Sequence, residues 1–293
     1  MHEPFALLLP VFAGDRPNHF DRAFRSSAHD QFLPPDQVVL VQDGPVDDEL
    51  ASCITHLRET SPVPVTYLRL DDNVGLGPAL DAGLEASQYD VVARMDADDV
   101  SMPWRFQVQL PLIESADIVG AGLLEFTDDI DHVVGRRIPP VEAAVIREYA
   151  RLHDPFNHPT VVYRRQAVQA AGGYGRLARM EDYWLFARML ADGAEPVNVA
   201  EPLVYYRVGG GAYQRRGGAG MLRAEAVLQR EMRRAGITSG PEYARNLAVR
   251  GGYRLVPWRL RRGLYTSLVA TRFEPAVEPM PVVSREPAFG LAG

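Results

Sequence analysis

Three carboxylates fall within four residues at Asp96, Asp98 and Asp99, directly after Val91-Val92-Ala93-Arg94-Met95. Charges of one sign this close repel unless a cation sits between them. Mg²⁺ and Mn²⁺ prefer carboxylate oxygen and often share a site with substrate phosphates. A fourth carboxylate, Asp43, ends another apolar run, Val38-Val39-Leu40-Val41-Gln42, just before Gly44. A solvated acidic turn leading into a helix near Pro103 accounts for the same triplet, and Asp43 before glycine has the pattern of a turn. Locally both readings stand.

The elements that would position these groups are legible in order. Phe5 to Phe12, Gln37 to Asp43, Val63 to Leu70 and Val91 to Ala93 read as buried strands. Between them, Asn18 to Ala28, Val46 to Thr60 and Ala79 to Ser87 read as helices. This alternation predicts an α/β fold with a doubly wound, mostly parallel sheet, which binds ligands beyond the C-terminal ends of its strands. Both Asp43 and the triplet fall at such ends. Further on, helices are expected over Pro103–Glu114, Pro140–Leu152, Arg164–Ala171 and Glu181–Ala191. Strands are expected over 117–122, 124–127, 133–138, 158–163, 197–199 and 203–208, with a turn at Asp128, Asp129 and Asp131. Gly209 to Gly220 is rich in glycine, and basic helices are expected over Met221–Ala235 and Pro241–Leu255.

A chain of 293 residues can bury a large core. A single cysteine, Cys53, excludes a disulfide framework and a cysteine metal site and suits a reducing cytoplasm. No run reaches the roughly 18 apolar residues of a membrane span. The charge is uneven: residues 1–206 hold 16 arginines against 32 acidic residues, whereas residues 207–273 hold 14 arginines against 3 glutamates. An acidic front suits metal-assisted chemistry, and a basic back suits an anionic surface or substrate.

Taken together, the motifs resemble family 2 glycosyltransferases with the Rossmann-like GT-A fold, and specifically the bacterial capsule and exopolysaccharide branch of the amylovoran-biosynthesis type. The residues that carry this are Leu9-Pro10-Val11-Phe12, Val41-Gln42-Asp43-Gly44, Asn73-Val74-Gly75-Leu76-Gly77 through Leu80-Asp81-Ala82-Gly83, and Ala93-Arg94-Met95-Asp96-Ala97-Asp98-Asp99 followed by Pro103, Arg105 and Phe106. Asn157-His158-Pro159-Thr160, Gly172-Gly173-Tyr174 and Glu181-Asp182-Tyr183-Trp184 follow in the family's order.

The resemblance implies roles. Asp96-Ala97-Asp98 is similar to the DxD motif, with Asp98 holding Mn²⁺ or Mg²⁺ against the donor diphosphate and Asp96 touching the ribose or the metal. Pro10, Val11 and Phe12 would line the nucleoside, and Asp43 would accept from the uracil N3–H. Asn73 and Gly75 would let backbone approach the nucleotide. Asp182 would be the general base, giving inversion at the anomeric carbon, with Glu181 raising its pKa or orienting it. Asp182 is equally placed to cap its helix.

The processive members' Gln-x-x-Arg-Trp motif is not matched by Gln214-Arg215-Arg216-Gly217, which implies transfer of a single sugar. Arg215 and Arg216 on the glycine-rich loop would close over the diphosphate, or simply link onward. His158 is open between a core histidine and a substrate contact, Trp184 between the core and an acceptor sugar, and Asp99 between a metal contact and a helix cap.

The expected activity is therefore a metal-dependent, inverting, nonprocessive transfer from a UDP-sugar to a lipid-linked saccharide in surface polysaccharide synthesis, with a nucleotidyltransferase or a non-catalytic sugar-nucleotide-binding protein as rivals. A catalytic domain is expected over 1–208, a glycine-rich loop and basic helical extension over 209–273, and a loose tail over 274–293. Arg250, Arg254, Arg259, Arg261 and Arg262 alternate with Tyr253, Trp258 and Tyr265, as on an interfacial helix resting on anionic lipid at the inner face of the membrane. Packing against the acidic domain is the alternative. No nucleic-acid reader motif accompanies the charge.

Overall fold

Phe5–Phe12 (β1) is a central strand, and its side chains divide between two cores. Phe5, Leu7 and Leu9 face one helical layer, and Ala6 and Leu8 face the other. A strand covered on both sides needs no polar face, which explains its unbroken apolar run. The computed structural model describes residues 2–175, 177, 179–209 and 218–255. Pro17–Ala28 (α1), Gln37–Asp43 (β2), Asp48–Thr60 (α2), Val65–Arg69 (β3), Leu76–Ala86 (α3) and Val91–Arg94 (β4) follow β1. The strands β3, β2, β1 and β4 lie side by side and parallel, as expected.

The second half of the sheet adds antiparallel pairings to the mostly parallel arrangement expected. Val100–Ser101 (β5), Arg105–Ile113 (α4), Ile118–Phe126 (β6), Val133–Arg137 (β7), Ala143–Tyr149 (α5), Val162–Arg164 (β8), Arg165–Ala170 (α6), Glu181–Ala191 (α7) and Pro196–Arg207 (β9) complete it. The strand order is β3-β2-β1-β4-β8-β6-β9-β5, with β7 paired to β6. Strand β8 runs antiparallel to both β4 and β6, whereas β9 runs parallel to β6. The result is a mixed sheet whose parallel half is built from successive βα units.

Three local expectations are corrected. The two short strands expected at 117–127 are one strand, β6, because Gly122 and Leu123 continue the ladder. The late strands at 197–199 and 203–208 are likewise one strand, β9; the register slips between Ala121 and Leu123, so an irregularity replaces the expected break. His158–Thr160 forms a 3₁₀ turn, not a strand. There the Thr160 N–H donates to the Asn157 carbonyl at 2.8 Å, and Thr160 Oγ1 accepts from Ala121 N at 2.9 Å.

Helix α3 lies very close to its neighbours. A Cβ at Gly77 would come within 2.7 Å of the Gly175 carbonyl oxygen, so the glycine lets the loop after α6 sit against the start of α3. Asp81 fastens that loop: its two oxygens accept from Tyr174 N at 2.7 Å and Gly175 N at 3.2 Å.

Beyond residue 217, Ala219–Arg234 (α8) and Gly240–Asn246 (α9) are followed by a π-helical turn, Leu247–Gly251, and Gly252–Leu255 (α10). Ser239 and Glu242 form a reciprocal cap at the start of α9. Met221, Leu228 and Met232 of α8 pack on Met180, Tyr183 and Ala187 around α7, and Trp184 packs against the same cluster. Arg250 and Arg254 turn inward, not toward a membrane surface. Both bond the fully buried Glu225, and Arg250 also donates to the Leu152 carbonyl at 2.8 Å. For these two residues the packing alternative holds. Arg215, Arg216, Arg259, Arg261, Arg262, Trp258, Tyr265 and the 274–293 tail lie outside the described residues. Among the described residues no helix is long and apolar enough to cross a membrane.

Candidate active site

The acidic triplet follows β4 where that strand leaves the sheet. Strand β4 is held from below by Arg105, itself fully buried, whose Nη2 donates to the Arg94 carbonyl at 2.7 Å. The chain then turns back toward β5, and Arg207 at the end of β9 clamps the turn. The Arg207 backbone N–H donates to Asp99 Oδ1 at 2.7 Å, and its Nε donates to the Asp98 carbonyl at 2.9 Å. Asp99 is wholly buried, and its Oδ2 has no hydrogen-bond partner among the described residues. Burial and the nearby Asp96 and Asp98 push its carboxyl well above the usual range. Asp99 is not among the residues lining the cavity that Asp96 and Asp98 line, and it does not cap α4, which starts at Arg105; its Oδ1 latches the turn to β9.

Asp96, Ala97 and Asp98 open into a cavity of about 880 Å³. Pro10, Val11, Phe12, Asp43, Asn73 and Gly75 line the same cavity. The structure thus brings together these nine residues expected to contact the donor or its metal, from four separate stretches of chain, while Arg215 and Arg216 lie outside the described residues. Asp43 is more than a turn residue. Its carboxylate accepts from Val74 N at 2.7 Å and Gly75 N at 3.0 Å, fixing the loop before α3. Gly75 has φ +89°, a conformation that favours glycine.

Other lining groups were not singled out from sequence: Asp15, Arg16, His19 and Arg207; Asp128, read as a turn residue, also lines the cavity. Asp15 lies in a turn, Arg16 precedes α1, His19 is on α1 and Arg207 ends β9, and no shared periodicity or spacing points to them. Asp15 accepts from Phe12 N at 2.9 Å, and burial raises it to about 7. Arg16, His19 and Arg207 place cationic or polarisable groups around an otherwise acidic cavity, as a diphosphate requires.

The carboxylates present supply only part of a divalent cation's coordination. Among the described residues, no three His, Cys, Asp or Glu side chains are grouped to hold a metal alone. Asp96 is already engaged by Arg94. Asp98 is raised to about 6, first by burial and then by Asp96, so a cation there would relieve a strained charge. One or two carboxylates plus substrate phosphates is a normal set for Mg²⁺. The donor set fits a cation that needs the diphosphate to complete its coordination.

Arg94 is the hub that sequence reading missed. It is 1% exposed, it pairs with Asp96, and its Nε and Nη1 have no hydrogen-bond partner among the described residues. Its charge lowers the carboxyls of Asp98, Glu181 and Asp182. Its position inside the motif was visible, but the direction of its side chain depends on the packing around β4.

Asp182 lies in the first turn of α7, while the N-cap position is Met180. It is therefore not the helix cap. Its Oδ1 accepts from Tyr183 N at 2.8 Å, and the side chain is 28% exposed. Burial raises its pKa above that of an ordinary aspartate, and Asp96 adds to this. Glu181, beside it, is itself raised to about 7, first by burial and then by Asp182. His158 is a buried histidine facing the Asp182 carboxylate, and Asp154 is a further, half-buried acid whose carboxyl is raised by burial and by Asp182. Trp184 carries Arg188 over its ring at 4.9 Å, on the core side of the question.

An acidic, cation-suited cavity at the C-terminal edge of a parallel half-sheet, with a separate raised carboxylate on a later helix, is the arrangement of a nucleotide-sugar enzyme. Residues 19–175 match the family model described as Glycosyl transferase family 2. The chain is 34% identical over 267 residues to the amylovoran biosynthesis glycosyltransferase AmsE of Erwinia amylovora, covering 89% of this chain and 97% of that one. It is 29% identical to a UDP-Gal:alpha-D-GlcNAc-diphosphoundecaprenol beta-1,3-galactosyltransferase of Escherichia coli, covering 90% and 96%. Among solved structures, S. aureus TarS 1-349 in complex with UDP-GlcNAc superposes with a TM-score of 0.62 at 15% identity, covering 91% of this chain and 76% of that one. The mannosyltransferase PcManGT of Pyrobaculum calidifontis, in complex with GDP-Man and Mn2+, gives 0.62 at 15%, covering 94% and 77%. The chain belongs to glycosyl transferase family 2 and is a glycosyltransferase with the GT-A fold.

Proposed function

We propose that this enzyme is an inverting, metal-dependent, nonprocessive transferase. It moves one sugar from a UDP-sugar to a hydroxyl of a lipid-linked saccharide during surface polysaccharide synthesis. The observation that carries this reading is the pair of separate carboxylate centres, Asp96 with Asp98 in the cavity and Asp182 on α7, with buried Arg94 between their charges. The two relatives act in amylovoran biosynthesis and on a diphosphoundecaprenol-linked sugar by their names, which favours this donor and acceptor class.

In this mechanism Pro10, Val11 and Phe12 receive the nucleoside, and Asp43 uses a remaining lone pair for the uracil N3–H. Asp98, with Asp96, would hold Mn²⁺ or Mg²⁺. When bound, the cation neutralises charge on the leaving diphosphate. Arg16 and Arg207 add positive charge around the same group, and His19 adds a neutral imidazole. Asp182 takes the proton from the acceptor hydroxyl. The oxygen then attacks the anomeric carbon from the face opposite the diphosphate. The bond to the phosphate oxygen breaks, and the electron pair leaves with the nucleoside diphosphate, so the configuration inverts.

A panel of UDP- and GDP-sugars, incubated with and without Mn²⁺, tests the reading by release of nucleoside diphosphate. Release from a UDP-sugar, lost in Asp98→Ala, is the expected result. No release from any donor with a lipid-linked acceptor present overturns it, and pyrophosphate release from a nucleoside triphosphate favours a nucleotidyltransferase. Asp99→Ala removes the acceptor for the Arg207 N–H and loosens the metal-binding turn. It is expected to weaken UDP binding about tenfold, the effect of one buried hydrogen bond to a charged group. Calorimetric titration with UDP and Mn²⁺ reads this directly, and unchanged affinity counts against the latch.

Residues from 256 onward carry the remaining basic residues proposed to meet anionic lipid at the inner face of the membrane. Truncation after Leu255 keeps Arg250 and Arg254 in the fold and should weaken binding to anionic vesicles in a flotation assay. Undiminished binding rejects the membrane reading.

A further inference from the structure

We propose that His158 is a positioning residue for the catalytic base, held in one tautomer by a buried chain of two tyrosine hydroxyls. The inference depends on Asp182 being the base, as argued above. His158 is 8% exposed and lies on the 3₁₀ turn that leads into β8. Its Nε2 is 2.9 Å from Tyr174 Oη, and Tyr174 Oη is 3.1 Å from Tyr163 Oη. Both tyrosines are fully buried. The other ring nitrogen, Nδ1, faces Asp182 Oδ2 at 3.8 Å.

The surroundings leave the ring little freedom. The Phe186 ring meets it edge-on at 5.8 Å, and the Tyr174 ring lies at 5.4 Å. Tyr174 is itself anchored through its backbone N–H to Asp81 on α3. Elements α3, β8 and α7 thus converge on one imidazole. With Asp182 Oδ1 tied to the Tyr183 N–H and Oδ2 facing His158, the plane of the carboxylate is set from both sides.

The hydrogen-bond inventory then selects a tautomer. Burial and the nearby Arg94 hold His158 neutral, well below its ordinary pKa. A neutral imidazole donates from one nitrogen and accepts at the other. A carboxylate facing Nδ1 calls for the proton there, so Nε2 accepts from Tyr174, and Tyr163 donates to Tyr174. The separation of 3.8 Å is beyond a made hydrogen bond, and catalytic hydrogen bonds of this kind commonly tighten only when substrate is bound. The imidazole takes no proton in the reaction; it orients the oxygen that does. If His158 only fills the core, its two nitrogens are equivalent for turnover.

That difference is testable by exchanging one nitrogen at a time. His158→Asn keeps a donor near the Nδ1 position, and His158→Gln keeps a polar group near Nε2. With the UDP-sugar found in the donor panel, His158→Gln is expected to lose about tenfold to a hundredfold in kcat at unchanged donor KM, the size of one charge-assisted hydrogen bond. His158→Asn should retain most of the wild-type kcat. Equal kcat in the two variants overturns the proposal. Should both fail to fold, Tyr174→Phe, which deletes a single oxygen, decides. A fall in kcat at unchanged donor KM and Tm supports the chain, and wild-type kcat overturns it. Asp182→Asn run alongside separates the two claims: full activity there removes the base itself, whereas an inactive Asp182→Asn with equal His158 variants removes only the positioning role.

Discussion

Replacing Asp182 with asparagine is expected to lower turnover about 10²- to 10⁴-fold, the range contributed by a positioned general base. UDP binding should be kept. The substitution is isosteric, and the amide oxygen can still accept from the Tyr183 N–H, so α7 keeps its first turn. Asp182 does not line the donor cavity, so nothing that contacts the nucleotide is removed. The loss should therefore fall on kcat and not on the affinity for UDP, which steady-state kinetics and calorimetric titration measure separately. The pH profile carries a second signature. Asp182 must be ionised to take a proton, and burial raises its pKa. Activity should accordingly fall, as pH drops, at values above the range of an ordinary aspartate. Turnover near wild type in Asp182→Asn would move the base elsewhere, with Glu181 and Asp154 as the neighbouring acids.

Removal of Glu225 is expected to cost stability on a comparable scale. Glu225 is fully buried on α8 and accepts from Arg250 at 2.5 Å, Gln229 at 3.1 Å and Arg254 at 3.2 Å. Arg250 in turn bonds the Leu152 carbonyl and lies over the Tyr183 ring at 5.1 Å. Glu225→Ala leaves inward-turned guanidinium groups without their shared carboxylate. Breaking a buried pair by deleting one partner costs about 3–5 kcal/mol. Thermal denaturation should show a midpoint lower by roughly 2–4 °C per kcal/mol; a shift within about 2 °C would refute the arrangement. The sign with pH follows. Burial alone would raise Glu225, but the hydrogen bonds from Arg250 and Gln229 and the charge of Arg254 hold it below its ordinary value. Its stabilisation is fully present above the unfolded pKa of about 4.3 and is lost as pH falls through the depressed folded value. The wild type should thus lose stability more steeply than Glu225→Ala below about pH 4. Because Tyr183 adjoins Asp182, this helical extension braces the helix that carries the base, and its loss should reduce turnover as well.

Much of the site was legible before any fold was known. Strands buried on both faces leave continuous apolar runs, and such strands end where a ligand is bound, so Asp43, Asp96 and Asp98 could be placed at the cavity from their positions in the chain. Glycines at 75 and 77 mark places where backbone must turn or come close, and both did. These features are local, or follow a short period, and a linear sequence records them.

The remaining features depend on which side chains meet after folding. Asp99 finds the Arg207 N–H across 108 residues, Tyr174 finds Asp81 across 93, and His158 finds Tyr174 through a turn that pattern alone reads as a strand. Arg250 and Arg254 have the spacing of a lipid-facing stripe, yet they turn inward because a buried glutamate on another helix outweighs solvation of their charge. Arg94 reads as one more residue of a motif; only the packing around β4 makes it a buried cation beside Asp96, within electrostatic reach of Asp182. The sequence by itself determined the fold class and pointed to the carboxylates proposed to do the chemistry. The tertiary structure decided what orients those carboxylates, because hydrogen bonds and ion pairs are settled by three-dimensional neighbours that no periodicity encodes.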